Sequence, residues 1–333
     1  YTMAEVWTIA EASGGTLKEV SFELLARGRS LADELGVPLA SVVLTDEIEE
    51  AELQRLASYG ADIIYAERDP RLAPFTVASH AAFLTALVTR HAPQIILAAA
   101  TTSGRTLLPY LAVKLGCGLT ADCTALAIEE GTGNLLQIRP AIGGNIMATI
   151  KSPDHRPQMA TIRPRSTPLP SPDHARRATI IPIAVTDDFN DPVQVLSLRP
   201  FGDQSSSIEN AAIVVSGGKG LKKRDNFTLI EDLAAALGGA VGASRDAVDR
   251  GWASYPHQVG LSGKTISPEL YVAVGISGAI QHLAGIKTAK TIVAINRDSE
   301  ANILALADIA IIGDLFAIIP VLLRRLEERR TIE

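Results

Sequence analysis

The chain has 333 residues, of which 47% are hydrophobic, 20% charged and 5% aromatic. That is a globular composition with material for about two domains, and its bulk of Ala, Ile, Val and Leu suits buried parallel strands under helices. The net charge is −6 with no long Lys/Arg block, which argues against a nucleic-acid partner, because phosphate binding needs a concentrated basic face.

Two cysteines, Cys117 and Cys123, make no disulfide framework. A reducing compartment is expected, the cytoplasm, or the mitochondrial matrix in a eukaryote. The pair offers too few ligands for a metal centre. No apolar run reaches the eighteen or so residues of a membrane span. The opening "YTMAEVWTIAEASGG" lacks a basic segment followed by an apolar one. Tyr1 and Thr2 are expected to be additions before a natural Met3.

In chain order, "VWTIAE" reads as a strand. Leu17, Val20, Leu24, Leu31 and Leu35 then recur at helical spacing up to Gly36. "LASVVLT" is a second strand, "EEAELQRLASYG" a helix and "ADIIYAE" a third strand. A helix from about Phe75 to His91 leads to the strand "QIILAAAT", and "SGRTLLPYLAVKLG" is a fourth helix. Strand–helix alternation of this kind builds a parallel sheet. From Cys123 the helices stop. "CTALAIEE", "LLQIRPAI", "NIMATIK", "QMATIRP" and "ATIIPIAV" follow one another, with a hairpin signal at Gly131 to Asn134, so antiparallel or mixed strands are expected. Ser-Pro-Asp-His occurs at Ser152 to His155 and again at Ser171 to His174. Two Asp-His pairs suggest a metal site, but Asp beside Pro is turn chemistry, and two turns are the preferred reading.

Asp187 to Asn210, rich in Asp, Asn, Pro and Ser, reads as a linker and candidate hinge. The bounds are set at 1–190 for an N-terminal α/β domain with a mixed sheet, 191–210 for the linker, and 211–333 for a doubly wound parallel-sheet domain. The last has strands "AAIVVSGG", "AVGAS", "YVAVGIS", "TIVAIN" and "DIAIIGD", a helix "NFTLIEDLAAALGG" with Asn226 as expected N-cap, and a closing helix "LFAIIPVLLRRLEERR".

Three motifs in the second domain invite chemistry. Gly275 to Ala279 nearly matches the nucleophile elbow G-x-S-x-G, but Ala stands where the second Gly belongs. Gly263-Lys264-Thr265 resembles the end of a phosphate-binding loop, but position 258 is Gln where that loop needs Gly. "SGGKG" follows a strand but lacks the third Gly of G-x-G-x-x-G, and the lysines around it read equally as a phosphate contact or a solvated cluster. Taken together, the strand ends Ser216-Gly217-Gly218, Ser244-Arg245, Ser277-Gly278, Asn296 and Gly313-Asp314 carry small or polar residues. Ligands of open α/β sheets sit at the carboxyl ends of strands. Ser277-Gly278 offers backbone N–H groups to a phosphate, while Asn296 and Asp314 suit an adenine or ribose edge. A dinucleotide across this domain is expected, with no catalytic residue and no metal ligand assigned.

"VVSGGKGLKKRDNF", "AVGASRDAVDRGW", "QVGLSGKTISPELYVAVGISGAIQHLAGIK", "TIVAINRD" and "ADIAIIGDLF" together resemble the electron-transfer flavoprotein alpha subunit. The first domain is similar more loosely, through "SGRTLLPYLAVKLGCGLTAD". The resemblance implies an adenine-nucleotide-hydrolase-like first domain docking on a beta subunit, and FAD in the second. It places Lys219 at the phosphates, Ser244 and Arg245 beside the flavin, and Gln258, Val259, Gly260, Leu261, Ser262 and Gly263 against the ring. Ser277, Gly278, Ala279, Ile280, Gln281 and His282 would run along the diphosphate and ring, and Asn296, Asp314 and Leu315 would meet the adenosine. Arg245 and His282 would supply positive charge beside the pyrimidine edge of the ring. Lys219 and Leu261 depart from the Arg and Gln common in the family. The implied redox partner is a flavoprotein dehydrogenase of acyl-CoA or hydroxy-acid type. Some anaerobic members bifurcate NADH electrons toward ferredoxin or flavodoxin, and either role fits. The rival reading is a self-sufficient NAD-dependent enzyme using Ser262, Lys264 or Ser277.

Overall fold

The computed structural model describes residues 4–141, 146–183, 191, 193–198, 208–209 and 211–330. Tyr1, Thr2 and Met3, and most of the expected linker at 191–210, lie outside the described residues. The chain divides into two units, Tyr1–Leu198 and Arg199–Glu333.

In the first unit the elements run β1 (Val6–Ile9), β2 (Ala12–Ser13), β3 (Thr16–Leu17), α1 (Glu19–Leu35), β4 (Leu39–Thr45), α2 (Glu50–Ser58), β5 (Ile63–Arg68), α3 (Val77–His91), β6 (Ile95–Ala99) and α4 (Thr102–Leu115). Then come β7 (Leu119–Cys123), β8 (Ala125–Ile128), β9 (Leu135–Pro140), β10 (Met147–Ile150), β11 (Gln158–Ile162) and β12 (Thr179–Pro182). Seven strands form one sheet in the order β12-β5-β4-β1-β6-β11-β7. Phe22, Leu25, Leu53 and Leu56 of α1 and α2 pack on one face with Leu39 and Ile64. Phe83, Leu84, Leu108 and Leu111 of α3 and α4 pack on the other with Trp7 and Ile96. With both faces covered, all of β4 is buried, which is why it reads as a continuous apolar run.

The expectation of a mixed sheet is corrected. Every pairing in the seven-stranded sheet is parallel. Of the strands after Cys123, the antiparallel ones are β8, β9 and β10, which form a separate three-stranded sheet around the expected hairpin. β11 and β12 instead join the parallel sheet, β11 between β6 and β7 and β12 beyond β5. Helix-free connections concealed those parallel returns, since crossovers usually carry a helix. The second Ser-Pro-Asp-His sits in such a connection. There Asp173 Oδ1 accepts the Ala175 N–H at 2.9 Å, a turn contact. Among the described residues no cluster of three metal-ligating side chains occurs.

The second unit runs β13 (Ile213–Gly217), α5 (Thr228–Leu237), β14 (Ala240–Ala243), α6 (Arg245–Asp249), β15 (Leu270–Val274), α7 (Ile280–Leu283), β16 (Thr291–Asn296), α8 (Asn302–Leu306), β17 (Ile309–Ile312) and α9 (Leu315–Arg330). Its sheet is parallel in the order β14-β13-β15-β16-β17. Apolar clusters again cover both faces: Val214, Tyr271, Ala294 and Ile303 on one, Val215, Ile230, Leu233 and Ile319 on the other. Asn226 does not cap α5. A short 3₁₀ turn over Arg224–Phe227 precedes that helix, and the Asn226 amide donates to the Leu221 carbonyl at 2.7 Å. Among the described residues no helix is long and apolar enough to cross a membrane.

Candidate functional site

The order β14-β13-β15 reverses direction at β13, so the connections leaving β13 and β15 diverge and open a crevice at their carboxyl ends. The two strand-end loops meet there. Gly218 N–H donates to the Val274 carbonyl and Gly220 N–H to the Gly275 carbonyl, each at 2.9 Å. A cavity of about 1200 Å³ occupies this place. It exceeds the roughly 300–1,000 Å³ of ordinary small-molecule pockets and suits a large dinucleotide.

Fourteen of the eighteen residues named from sequence line it: Lys219, Ser244, Arg245, Val259, Gly260, Leu261, Ser262, Ser277, Ala279, Gln281, His282, Asn296, Asp314 and Leu315. Gln258, Gly263, Gly278 and Ile280 are not among the lining residues. Gln258 is buried behind the loop, where its amide donates to the Ser262 hydroxyl at 3.0 Å. Gly263 packs on the Gln258 carbonyl, and Ile280 is exposed at the start of α7. Lys222, of the lysine cluster, and Gly313, of the strand ends, also line it, whereas sequence reasoning did not assign Gly220, Asp246, Asp249, Gly275, Ile276, Arg297, Asp298, Ala301 or Phe316 to the site. Most adjoin residues it named, and the same strand-end rule reaches them if carried one or two residues further.

The loop from Gln258 to Lys264 is clamped to the turn after β15. Leu261 N–H donates to the Gln281 carbonyl at 2.8 Å, and Val259 N–H to Ala243 at 2.9 Å. Gly260 has φ +138°, and a Cβ there would lie 2.9 Å from the Gln281 carbonyl oxygen, so no larger residue fits. Leu261 remains exposed. Ser244 caps α6 by accepting the Ala247 N–H at 3.4 Å. Arg245 stands exposed on that helix with Asp249 Oδ2 3.4 Å from its Nε.

α7 is a single turn of four residues, so its dipole is small. The capacity for an anion resides in peptide groups instead. In the hydrogen bonds of the described residues, the N–H groups of Ser277, Gly278, Ala279 and Ile280 have no acceptor. Successive N–H groups beside a positive-φ residue, here Gly278 at +83°, form an anion-binding concavity. The residues therefore fit a dinucleotide diphosphate.

One expectation changes. His282 does not supply positive charge. It is buried, its Nδ1 lies 3.1 Å from the Val259 carbonyl and its Nε2 2.8 Å from the Tyr271 hydroxyl. Burial, opposed only by the bond to Val259, lowers its pKa to about 4, so the ring is neutral at pH 7. The Asn296 amide is engaged within the protein, donating to the Ile276 carbonyl at 2.8 Å and accepting the Asp298 N–H at 3.1 Å. Asp314 accepts the Phe316 N–H at 3.0 Å at the start of α9. The rival nucleophile Lys264 is paired with Glu209 at 2.8 Å. Neither His257 nor His282 bonds a serine among the described residues; both hold backbone carbonyls through Nδ1.

The fold and the cavity define a two-unit α/β protein with a cavity of dinucleotide size at the switch point of its second sheet. Residues 6–188 match the electron transfer flavoprotein domain and residues 207–287 the electron transfer flavoprotein FAD-binding domain. The chain is 45% identical to the electron transfer flavoprotein subunit alpha of Thermoanaerobacterium thermosaccharolyticum, covering 97% of this chain and 98% of that one. It is 42% identical to the alpha subunit of Clostridium acetobutylicum, over 97% and 96%. It is also 42% identical to protein FixB of Bradyrhizobium diazoefficiens, over 95% and 87%. The chain belongs to the electron transfer flavoprotein alpha-subunit family. It binds FAD and carries electrons on it, and membership implies a beta-subunit partner.

Proposed function

We propose that the cavity of the second unit is the FAD seat, with the diphosphate on the Ser277–Ile280 peptide groups, the ring against Val259–Ser262, and the adenosine toward Asn296, Asp314 and Leu315. The observation that carries this reading is the run of N–H groups without acceptors among the described residues, beside a cavity of about 1200 Å³. Bound FAD supplies the redox chemistry. The chain's residues bind it, orient it and set the charge around it. Arg245 is the cation at the ring, because His282 is neutral. Residues 1–190 dock on the beta subunit, 191–210 serve as the hinge and 211–333 hold the cofactor.

A flavoprotein dehydrogenase of acyl-CoA or hydroxy-acid type exchanges electrons with the flavin. Ferredoxin or flavodoxin is the low-potential acceptor where NADH electrons are bifurcated. Leu261 at the ring favours a potential unlike that of members with an amide there. Two free cysteines support a reducing compartment, the cytoplasm, or the mitochondrial matrix in a eukaryote.

The test is co-purification with the beta subunit, a flavin count, and an assay of NADH-driven ferredoxin reduction. Arg245→Ala is expected to lower the flavin midpoint potential, because a nearby cation favours the reduced, more negative ring. Its Tm should stay within about 2 °C, since an exposed ion pair contributes little. An unmoved potential would remove Arg245 from the ring.

A further inference from the structure

Tyr271 lies on β15 and is 0% exposed, in a strand that is otherwise aliphatic. A buried phenol needs a partner for its hydroxyl. The buried Ser216 hydroxyl lies beside the phenol oxygen, and the partner at 2.8 Å is His282 Nε2. The other ring nitrogen, Nδ1, is 3.1 Å from the Val259 carbonyl. A carbonyl can only accept, so Nδ1 carries the proton. In the neutral ring Nε2 is then the acceptor, and the Tyr271 hydroxyl donates. Two hydrogen bonds thus run from β15 through α7 to the loop that lines the cavity. The same loop is held a second time by the Leu261 N–H on the Gln281 carbonyl.

We propose that Tyr271 is a positioning residue of the flavin site: its hydroxyl donates to the Nε2 that the Val259 carbonyl leaves unprotonated and, through that ring, holds the Val259–Ser262 loop against the cofactor. The role at the flavin rests on reading the cavity as the FAD seat. Arranged in this way, both nitrogens of His282 are committed inside the protein. The imidazole acts as a neutral strut, and the hydroxyl that holds it comes from a strand residue eleven positions earlier. Nothing local in the sequence around His282 carries that information.

The test uses the full chain reconstituted with its beta subunit, with ¹⁵N-labelled histidine in this chain alone, before and after FAD removal. In the unmutated protein the His282 spectrum is expected to show a protonated Nδ1 and an unprotonated Nε2 in both states. Tyr271→Phe keeps the ring and removes the hydroxyl. It is expected to shift the Nε2 resonance by removing its hydrogen-bond donor, with the proton still on Nδ1, and to move the flavin midpoint potential. Protonation at Nε2 in the unmutated protein, or nitrogen resonances unchanged in Tyr271→Phe, overturns the proposal whatever the flavin does. Resonances that shift while the potential stays put overturn the positioning role through a failure of the flavin-seat reading, and leave the Tyr271–His282 pair standing. If the variant does not fold, the unmutated spectrum decides by itself between the two tautomers.

Discussion

Gly278 shows how a single residue joins backbone conformation to ligand capture. Its φ is +83°, and a Cβ there would lie 2.3 Å from the Ile303 backbone nitrogen. Only glycine meets both conditions, and the conformation it permits lines up the neighbouring N–H groups. Gly278→Ala is expected to cost at least about 1–2 kcal/mol from the backbone conformation alone, with more from the collision. The flavin-to-protein ratio should fall sharply while the far-UV spectrum persists; full flavin occupancy in that variant would count against this account. From sequence, Ser277-Gly278 was legible as a turn ending a buried strand. The reason that position must be glycine was not, because Ile303 lies on another element, brought close only by folding. The charge state of His282 was hidden in the same way. A histidine beside glutamine at a helix start gives no sign that a carbonyl at Val259 and a hydroxyl at Tyr271 will enclose it.

Among the elements, β11 carries the least legible information. "QMATI" reads as a short apolar strand, and nothing local accounts for its polar Gln158. In the structure Gln158 is fully buried. Its Oε1 accepts the Leu135 N–H at 2.7 Å, and its Nε2 donates to the Ser152 carbonyl at 2.8 Å. It thereby ties the start of β9 in the antiparallel sheet to the parallel sheet, and Gln137 adds a bond from its Nε2 to the Met159 carbonyl at 3.2 Å. Gln158→Leu would strand a buried peptide N–H, at about 1–3 kcal/mol. A lower urea midpoint for the first unit, with the flavin-to-protein ratio unchanged, is the expected result. An unaltered midpoint would mean that the sheets are held together by packing alone. β13 through β17, by contrast, were each placed from sequence to within three residues at either end, because each is an apolar run closed by a small or polar residue.

At the scale of the whole molecule, each unit has apolar clusters on both faces of its own sheet. Units with complete cores of their own unfold as separate cooperative blocks. Calorimetry of the complex is expected to resolve a transition for each unit of this chain. Added FAD should raise only that of the second unit, because a ligand stabilises the fold it binds. A single transition that moves as one with FAD would argue against separate blocks.

The sequence by itself determined the strand–helix alternation, the two α/β units, the family and most of the loop ends that gather at the cavity. These depend on local periodicity and on residues adjacent in the chain. The tertiary structure alone decided that β11 and β12 run parallel with the first sheet, that Gly278 faces Ile303, and that His282 is neutral between Tyr271 and Val259. Each of those is a contact between segments far apart in sequence, where burial and hydrogen-bond partners are set by which elements become neighbours.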